Sequence, residues 1–339
     1  MKALVLKSDS LRIEKVREKP LQKGFARIKV LYAGLCGSDM HKFNNPTIAT
    51  TDLILGHELV GQVIDINDKN MSTRSKMKVG NVVAVCPTLP CCECENCVTG
   101  SDNLCEEFHG IGRDAQGGFA THVDVPISNL CVIPKDLPIR TAVLADAIAV
   151  CLHAIDDIAG DIKGKKCLVI GDGAIGLIIA ATLSLKGAGD VAILGKHENN
   201  LHLLSSQFSE IQVNVGKENS YDYIFETVGR RQLDTIHQAI SYAKTRGKII
   251  VLGVFPPDFQ LAFNNRTLFL KEATLIASVA YKKKYFDLAL KFLSFYPKLE
   301  FVITQEISFL EFLRGIDIMN NKSLYSPVVK LVFSFDNCE

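Results

Sequence analysis

The chain has 339 residues, 47% of them hydrophobic and none a tryptophan, and its 38 Lys+Arg against 37 Asp+Glu give a formal net charge of +1. So balanced a charge offers no general electrostatic case for binding nucleic acid or an anionic membrane, and so apolar a composition excludes a disordered chain. At about 100–200 residues per domain, the length suggests about two domains.

The opening Met1-Lys2-Ala3-Leu4-Val5-Leu6-Lys7-Ser8-Asp9 is interrupted by charge before a signal-type apolar core can form, so a cytoplasmic protein is expected. Up to about residue 135 the readable elements are strands with long loops: 26–30 alternates apolar and polar residues, and 82–85 and 122–125 are short β-branched runs. After Pro138 the period changes, and 141–155 reads as a buried helix linking two regions. From Lys165 onward the order is strand (167–170), Gly-rich turn, helix (174–186) and strand (191–194), which predicts parallel βαβ units with right-handed crossovers. Further strands are predicted at 223–225, 248–252 and 274–277, with a helix near 232–243, and together these make a doubly wound sheet. The segment 328–333 reads as a strand that returns to the β-rich domain and closes it. The apolar stretch 167–185 imitates a short membrane span, but Asp172 and three glycines in a motif spacing point to another use, and no membrane partner is expected.

Five of the eleven cysteines fall within residues 91–105, and in a reducing compartment such clustering suggests metal before disulfides. The spacing Cys91-x2-Cys94-x2-Cys97-x7-Cys105 lets one loop wrap a tetrahedral ion, and Cys92 is not needed to complete it. Four sulfurs leave no open coordination position, so this zinc site is read as structural and the reaction as occurring elsewhere.

A second motif, Gly171-Asp172-Gly173-Ala174-Ile175-Gly176, follows an apolar strand and opens a helix, the context in which such glycines allow a dinucleotide pyrophosphate to approach helix N-terminal amides. Where that motif expects an acid for the ribose 2′-hydroxyl, the sequence has Gly195-Lys196-His197. A missing acid removes repulsion of a 2′-phosphate and Lys196 can pair with it, so NADP(H) is favoured over NAD(H); the alternative is that Lys196 is a solvated loop residue and NAD is accepted. The third constellation combines Cys36-Gly37-Ser38-Asp39-Met40-His41 with Gly56-His57-Glu58, and a thiolate, an imidazole and a carboxylate form a zinc set with one position left for water or substrate.

With Gly56-His57-Glu58-x2-Gly61, the four-cysteine loop and the strand-borne glycine motif in this order, the chain resembles the zinc-dependent medium-chain alcohol dehydrogenases from about residue 24 to its C-terminus. Gly117-Gly118-Phe119-Ala120 and Asp222-x3-Glu226-x2-Gly229 look like further landmarks of that family. The resemblance is strongest to the polyol and sugar-alcohol branch, which carries Cys-Gly-Ser-Asp at the first ligand, as at Cys36 to Asp39. Where that branch has Glu-Pro-Leu seven residues before a His, this chain reads Asp146-Ala147-Ile148 before His153, so Asp146 stands at a family ligand position with a carboxylate one methylene shorter.

The resemblance implies an α/β protein: a GroES-like β-rich catalytic domain at 1–146 and 281–339, a Rossmann dinucleotide-binding domain at 147–280, and an active site in the cleft between them. It also implies two zinc ions per chain, one catalytic and one structural, and a homodimer or homotetramer. Cys36 and His57 would be ligands of the catalytic zinc, Glu58 and Asp146 would compete for the remaining protein contact, and Asp39 would orient His57. Ser38 and His41 would relay a proton, and Val228, Leu252 and Gly253 would join the glycine motif and Gly195-Lys196-His197 around the cofactor. The expected partner is a small secondary alcohol, polyol or sugar alcohol and its carbonyl form. A polyol-phosphate dehydrogenase is the nearest alternative, with Arg113 or Lys282-Lys283-Lys284 on the phosphate. A non-catalytic nucleotide-binding or structural relative is the other, motivated by Asp146 and by a shortened segment between Gly195 and Asp222 that suggests a trimmed helix.

Overall fold

A computed structural model describes the chain except for residues 7–10, 45–52, 69–76, 231, 264, 337 and 339. It divides into two compact units, Met1–Asp146 with Lys282–Glu339, and Ala147–Tyr281. In chain order the first unit begins with the hairpin β1 (Lys2–Leu6) and β2 (Leu11–Lys15), followed by β3 (Phe25–Leu35), α1 (Gly37–Asn44), β4 (Glu58–Asn67) and β5 (Val82–Val85). Next come β6 (Thr88–Leu89), α2 (Glu95–Val98), β7 (His109–Gly110), β8 (His122–Pro126) and β9 (Leu130–Val132). The chain then turns through 141–144 into α3 (Ala145–Leu152), and the helical run predicted over 141–155 continues in a wider pitch to Ala159, where Gly160 ends it at φ 92°.

The second unit is a single parallel sheet. β10 (Lys166–Ile170) leads through the glycine turn into α4 (Ala174–Leu185), then β11 (Asp190–Leu194), α5 (Glu198–Gln207), β12 (Gln212–Val213) and β13 (Tyr221–Glu226). α6 (Asp234–Tyr242), β14 (Ala243–Val251), α7 (Asn265–Leu270) and β15 (Thr274–Ala277) complete it. The strand order is β12-β11-β10-β13-β14-β15, so the chain reverses its direction of travel across the sheet at β10. That reversal opens a crevice beyond the carboxyl ends of β10 and β13, where doubly wound sheets take their ligands. Cys167 to Ile170 and Leu177 to Leu183 are buried on every side, which explains the unbroken apolar run; it is split between a strand and a helix, and no described helix is long and apolar enough to cross a membrane. The short segment between Gly195 and Asp222 still holds the ten-residue α5.

The chain returns to the first unit with α8 (Lys284–Phe295), β16 (Ile303–Ser308), α9 (Phe312–Asn320), α10 (Lys322–Tyr325) and β17 (Lys330–Ser334). β16 and β17 complete the sheet β16-β17-β3-β4-β5-β9, with β8 also paired to β3. β17 is the closing strand predicted from 328–333, running antiparallel to β3 with Leu331 opposite Leu35. Its inner face carries Phe333, which stacks on Phe312 at a centroid distance of 4.1 Å, while Phe119 meets Phe312 edge-on at 4.9 Å. Each such ring, fully buried, contributes about 1.5–3 kcal/mol over exposure, and these three hold the C-terminal strand onto the N-terminal sheet.

Candidate metal centres and cofactor turn

The four-cysteine loop lies between β6 and β7. Cys94 caps the short helix α2, so that Cys97 comes round one turn later onto the same side. The sulfurs of Cys91, Cys94, Cys97 and Cys105 all lie within 4.8 Å of one another. Zinc–sulfur bonds of about 2.3 Å at tetrahedral angles place the sulfurs about 3.8 Å apart. Cys91 Sγ and Cys97 Sγ are separated by 3.9 Å. Backbone amides already point at the sulfurs: Cys91 N–H donates to Cys105 Sγ and Cys94 N–H to Cys91 Sγ, both at 3.3 Å. A backbone amide from Glu106 leads the effects that lower the Cys94 thiol to about 7, whereas desolvation and the neighbouring thiols push Cys97 up to about 12. Sulfurs crowded this closely cannot all ionise without a cation among them, so the donor set fits zinc. Cys92, at φ 65°, turns its sulfur toward Pro90 O instead.

The second cluster is assembled from distant segments. Cys36 ends β3, and His57 and Glu58 stand where β4 begins; their ligand atoms also lie within 4.8 Å of one another. Asp39, on the first turn of α1 and 1% exposed, holds this corner: its Oδ2 accepts the Cys36 N–H at 3.0 Å and its Oδ1 lies 3.4 Å from His57 Nδ1. That approach is too poor for a hydrogen bond, leaving His57 Nδ1 buried without a partner. Burial opposes charge on His57, yet the Asp39 carboxylate and the Cys36 sulfur outweigh it and raise the imidazole well above its usual range. The acidic groups around His57 favour a cation there, and a thiolate, an imidazole and a carboxylate suit zinc. Ser38 and His41 are exposed, three residues apart on α1 and therefore on neighbouring positions of its surface.

Of the two carboxylates expected to compete, Glu58 is in the donor group and Asp146, half-buried on the first turn of α3, is outside it. The structure adds a residue that the sequence reading did not single out. Lys330 Nζ donates to Glu58 Oε1 at 2.6 Å and to Oε2 at 2.7 Å, and both residues are buried. Burial would strip the ammonium of its charge, but Glu58, and beyond it Cys36 and Asp146, raise Lys330 well above the ordinary lysine range. Sheet register makes the pair: Gly34 of β3 faces Glu58 on one side, and its neighbour Leu35 faces Leu331 of β17 on the other. A Cβ on Gly34 would come within 2.2 Å of Glu58 Oε2, so the carboxylate occupies the space that glycine leaves. The clue in the sequence was a lone lysine inside Val328-Val329-Lys330-Leu331-Val332-Phe333.

In the second unit the glycines of the turn have distinct tasks. Gly171 sits at φ 117°, and a Cβ on Gly176 would lie 1.9 Å from Gly171 O, so helix and strand can meet only if both are glycine. Gly173, the cap of α4, has nothing within 4 Å of its would-be Cβ and leaves the amides of Ala174 and Ile175 approachable, as a pyrophosphate requires. Thr227, also unforeseen, braces the turn by donating to Ile170 O at 2.9 Å. Beyond it, Val228 N–H donates to Glu226 Oε1 at 3.0 Å, and the amides of Leu252 and Gly253 donate to Glu226 O at 2.8 and 3.1 Å. The landmark Glu226 thus ties the ends of β13 and β14 together.

The fold adds a carboxylate to this corner. The sequence shows no acid after β11, but the fold supplies one from elsewhere: a Cβ on Gly195 would lie 2.5 Å from Asp172 Oδ2, so the Asp172 side chain fills that place. In the lysine run named for a phosphate, Lys283 Nζ donates to Asn129 Oδ1 at 3.1 Å and Lys284 Nζ lies 5.1 Å from the Tyr285 ring centre. Arg113 packs over Phe108 at 5.7 Å.

Residues 22–135 match the alcohol dehydrogenase GroES-like domain. An L-threonine 3-dehydrogenase of Shewanella baltica (strain OS185) is 27% identical over 311 residues, covering 87% of this chain and 88% of that protein. Another from Chelativorans sp. (strain BNC1) is 28% identical over 282 residues, covering 78% and 80%. The crystal structure of galactitol-1-phosphate dehydrogenase from Escherichia coli superimposes with a TM-score of 0.86 at 26% identity, over 98% of this chain and 100% of that one. Residues 22–135 thus carry an alcohol dehydrogenase GroES-like domain, and along most of its length the chain is similar to zinc-dependent medium-chain alcohol and polyol dehydrogenases.

Proposed function

We propose that this dehydrogenase carries a catalytic zinc at Cys36 and His57 and transfers a hydride between NADP(H), preferred over NAD(H), and a secondary alcohol, polyol or sugar alcohol and its carbonyl form. The observation that carries the reading is the grouping of half-buried Cys36 with buried His57 and Glu58, backed by Asp39. Glu58 and Asp146 are the carboxylates available for the third protein contact. Zinc held there supplies Lewis-acid polarisation of the substrate oxygen, and the nicotinamide supplies or accepts the hydride. The chain's own residues do the rest. Asp39 fixes the Cys36 backbone and faces His57, Lys330 holds Glu58 in place, and Ser38 Oγ with His41 passes the alcohol proton toward solvent.

Gly171, Gly173 and Gly176 admit the pyrophosphate to the amides of Ala174 and Ile175, and Gly195, Lys196 and His197 lie where the adenosine ribose is expected, with Val228, Leu252 and Gly253 further along the sheet edge. Cys91, Cys94, Cys97 and Cys105 hold a second, structural zinc, with the β-rich unit as the catalytic domain and the parallel-sheet unit as the cofactor domain. Eleven cysteines, none in a disulfide, suit a reducing cytoplasm, and a homodimer or homotetramer is the assembly the family resemblance implies.

The test is a panel of polyols, 2,3-diols, 3-hydroxy amino acids and sugar alcohols, each with and without phosphate, assayed with both nicotinamide cofactors. Turnover on an unphosphorylated secondary alcohol, lost by about a thousandfold or more in Cys36→Ser with the fold retained, is expected. Wild-type turnover in Cys36→Ser would overturn the catalytic assignment, and turnover confined to phosphorylated substrates would favour the polyol-phosphate alternative.

A further inference from the structure

The acid found beside Gly195 leads to a second reading of the cofactor site, which rests on the dinucleotide reading of the turn above. Asp172 projects from that turn and is almost enclosed, its side chain 9% exposed against 64% for His197. Both carboxylate oxygens are directed at one residue: Oδ2 accepts the His197 backbone N–H at 2.5 Å, and Oδ1 lies 2.9 Å from His197 Nδ1. Asn200 Nδ2 anchors the same residue through Asp172 O at 3.0 Å, and Asn214 Oδ1 accepts the Gly195 N–H at 3.0 Å, so the whole corner is braced. A carboxylate so engaged is poorly placed to take up a ribose hydroxyl directly, as an acid at the strand end would.

It does fix the imidazole. An ionised carboxylate only accepts, so Nδ1 carries the hydrogen and Nε2 is left on the exposed side of the ring. Neutral, that Nε2 is a hydrogen-bond acceptor and suits a 2′-hydroxyl. Protonated, it is a charged donor and suits a 2′-phosphate. We propose that Asp172 and His197 form a dyad that reads the 2′ position of the adenosine ribose, with Asp172 as the positioning residue and His197 as the reader, so that cofactor preference changes with pH.

The groups bearing on the ring are few. They are Asp172, Lys196 next to the ring in sequence, Glu198 in the first turn of α5, and the N-terminus of α5, which His197 caps. Exposed Lys196 adds a fixed positive charge for a 2′-phosphate at every pH of interest.

The experiment separates this dyad from the turn itself. Binding of adenosine 2′,5′-bisphosphate and of 5′-AMP, together with NADPH and NADH, is measured by calorimetry on the full chain at about pH 6 and about pH 8.5, either side of the ordinary imidazole range. The wild type is expected to lose about tenfold of its preference for the bisphosphate as pH rises, the size of one charge-assisted hydrogen bond partly open to water. The phosphate's own second ionisation, near about pH 6, occurs in every variant and is read from His197→Asn, in which the remaining pH dependence should vanish. Asp172→Asn keeps the ring but removes the carboxylate that orients it, and the preference for the bisphosphate should fall. Lys196→Ala should weaken the bisphosphate equally at both pH values. A wild-type preference that does not move with pH, or moves equally in His197→Asn, overturns the dyad while leaving the dinucleotide turn intact. Failure of all four nucleotides to bind overturns the turn and the dyad together.

Discussion

The two candidate metal clusters of the first unit are built in opposite ways. Cys91, Cys94, Cys97 and Cys105 come from one loop of fifteen residues, with a single helical turn and a few amides setting their geometry. Cys36, His57 and Glu58 come from the end of one strand and the start of another, and Asp39 of α1 and Lys330 of the C-terminal β17 bond to them. A local site depends on its own ligands and little else. A distributed site depends on the register of a sheet, so a residue near the far end of the chain, Lys330, holds both oxygens of the Glu58 carboxylate. The first kind of site should break the loop when damaged, and the second should break the chemistry.

The largest effect on stability is expected in the local site. Cys97→Ser should lose one zinc per chain and cost several kcal/mol, because metal binding free energy at such a site is folding free energy. Cys92→Ser, one residue outside the set, should change stability by no more than about 0.5 kcal/mol, and denaturant midpoints with zinc analysis compare the two directly. Equal losses in both would erase the distinction between ligand and bystander.

Next comes the buried pair. Lys330→Met leaves the Glu58 carboxylate uncompensated and should cost about 3–5 kcal/mol, whereas Glu58→Gln with Lys330→Met should recover most of that loss, as a double-mutant cycle would read. The pair's sign with pH follows from the lysine: its folded value is raised, so the contribution is complete below the ordinary lysine range and disappears only in strong alkali.

The smallest effect lies at the seam between the two chain segments of the first unit. Arg140 pairs with Glu300 and, at 2.9 Å, with Glu306, and Thr141 also donates to Glu300. Desolvation opposes the Glu300 charge, but the bonds from Thr141 and Arg140 hold its carboxyl below the usual range. The contribution is therefore present above the unfolded carboxylate range and is lost as pH falls through the lowered folded value. With side chains about a third exposed, Glu300→Gln should cost no more than about 1 kcal/mol at neutral pH, and that difference should vanish in acid denaturation.

The same contrast explains what the sequence could reveal. The cysteine loop and the glycine turn are local, and their spacings were legible residue by residue. The parallel sheet was legible because strands buried on both faces read as unbroken apolar runs, and β17 because Val328 to Phe333 is such a run. Cys36 and His57 were legible by chemistry and family pattern, but Lys330 was not, since nothing in 328–333 says which strand it will face. Asp172 was visible only as a charge in an apolar stretch, because its role depends on β10 and β11 lying side by side and on Gly195 leaving room for it. Thr227 was hidden for the same reason, as it acts across from β13 onto the end of β10.

Zinc content per folded chain tests most directly whether the two candidate centres of unlike construction both hold metal. The wild type should hold two, Cys36→Ser one with the fold and denaturation midpoint nearly unchanged and turnover gone, and Cys97→Ser one with the midpoint sharply lowered. A wild-type chain with a single zinc that survives in Cys36→Ser would contradict the catalytic site assigned to Cys36 and His57.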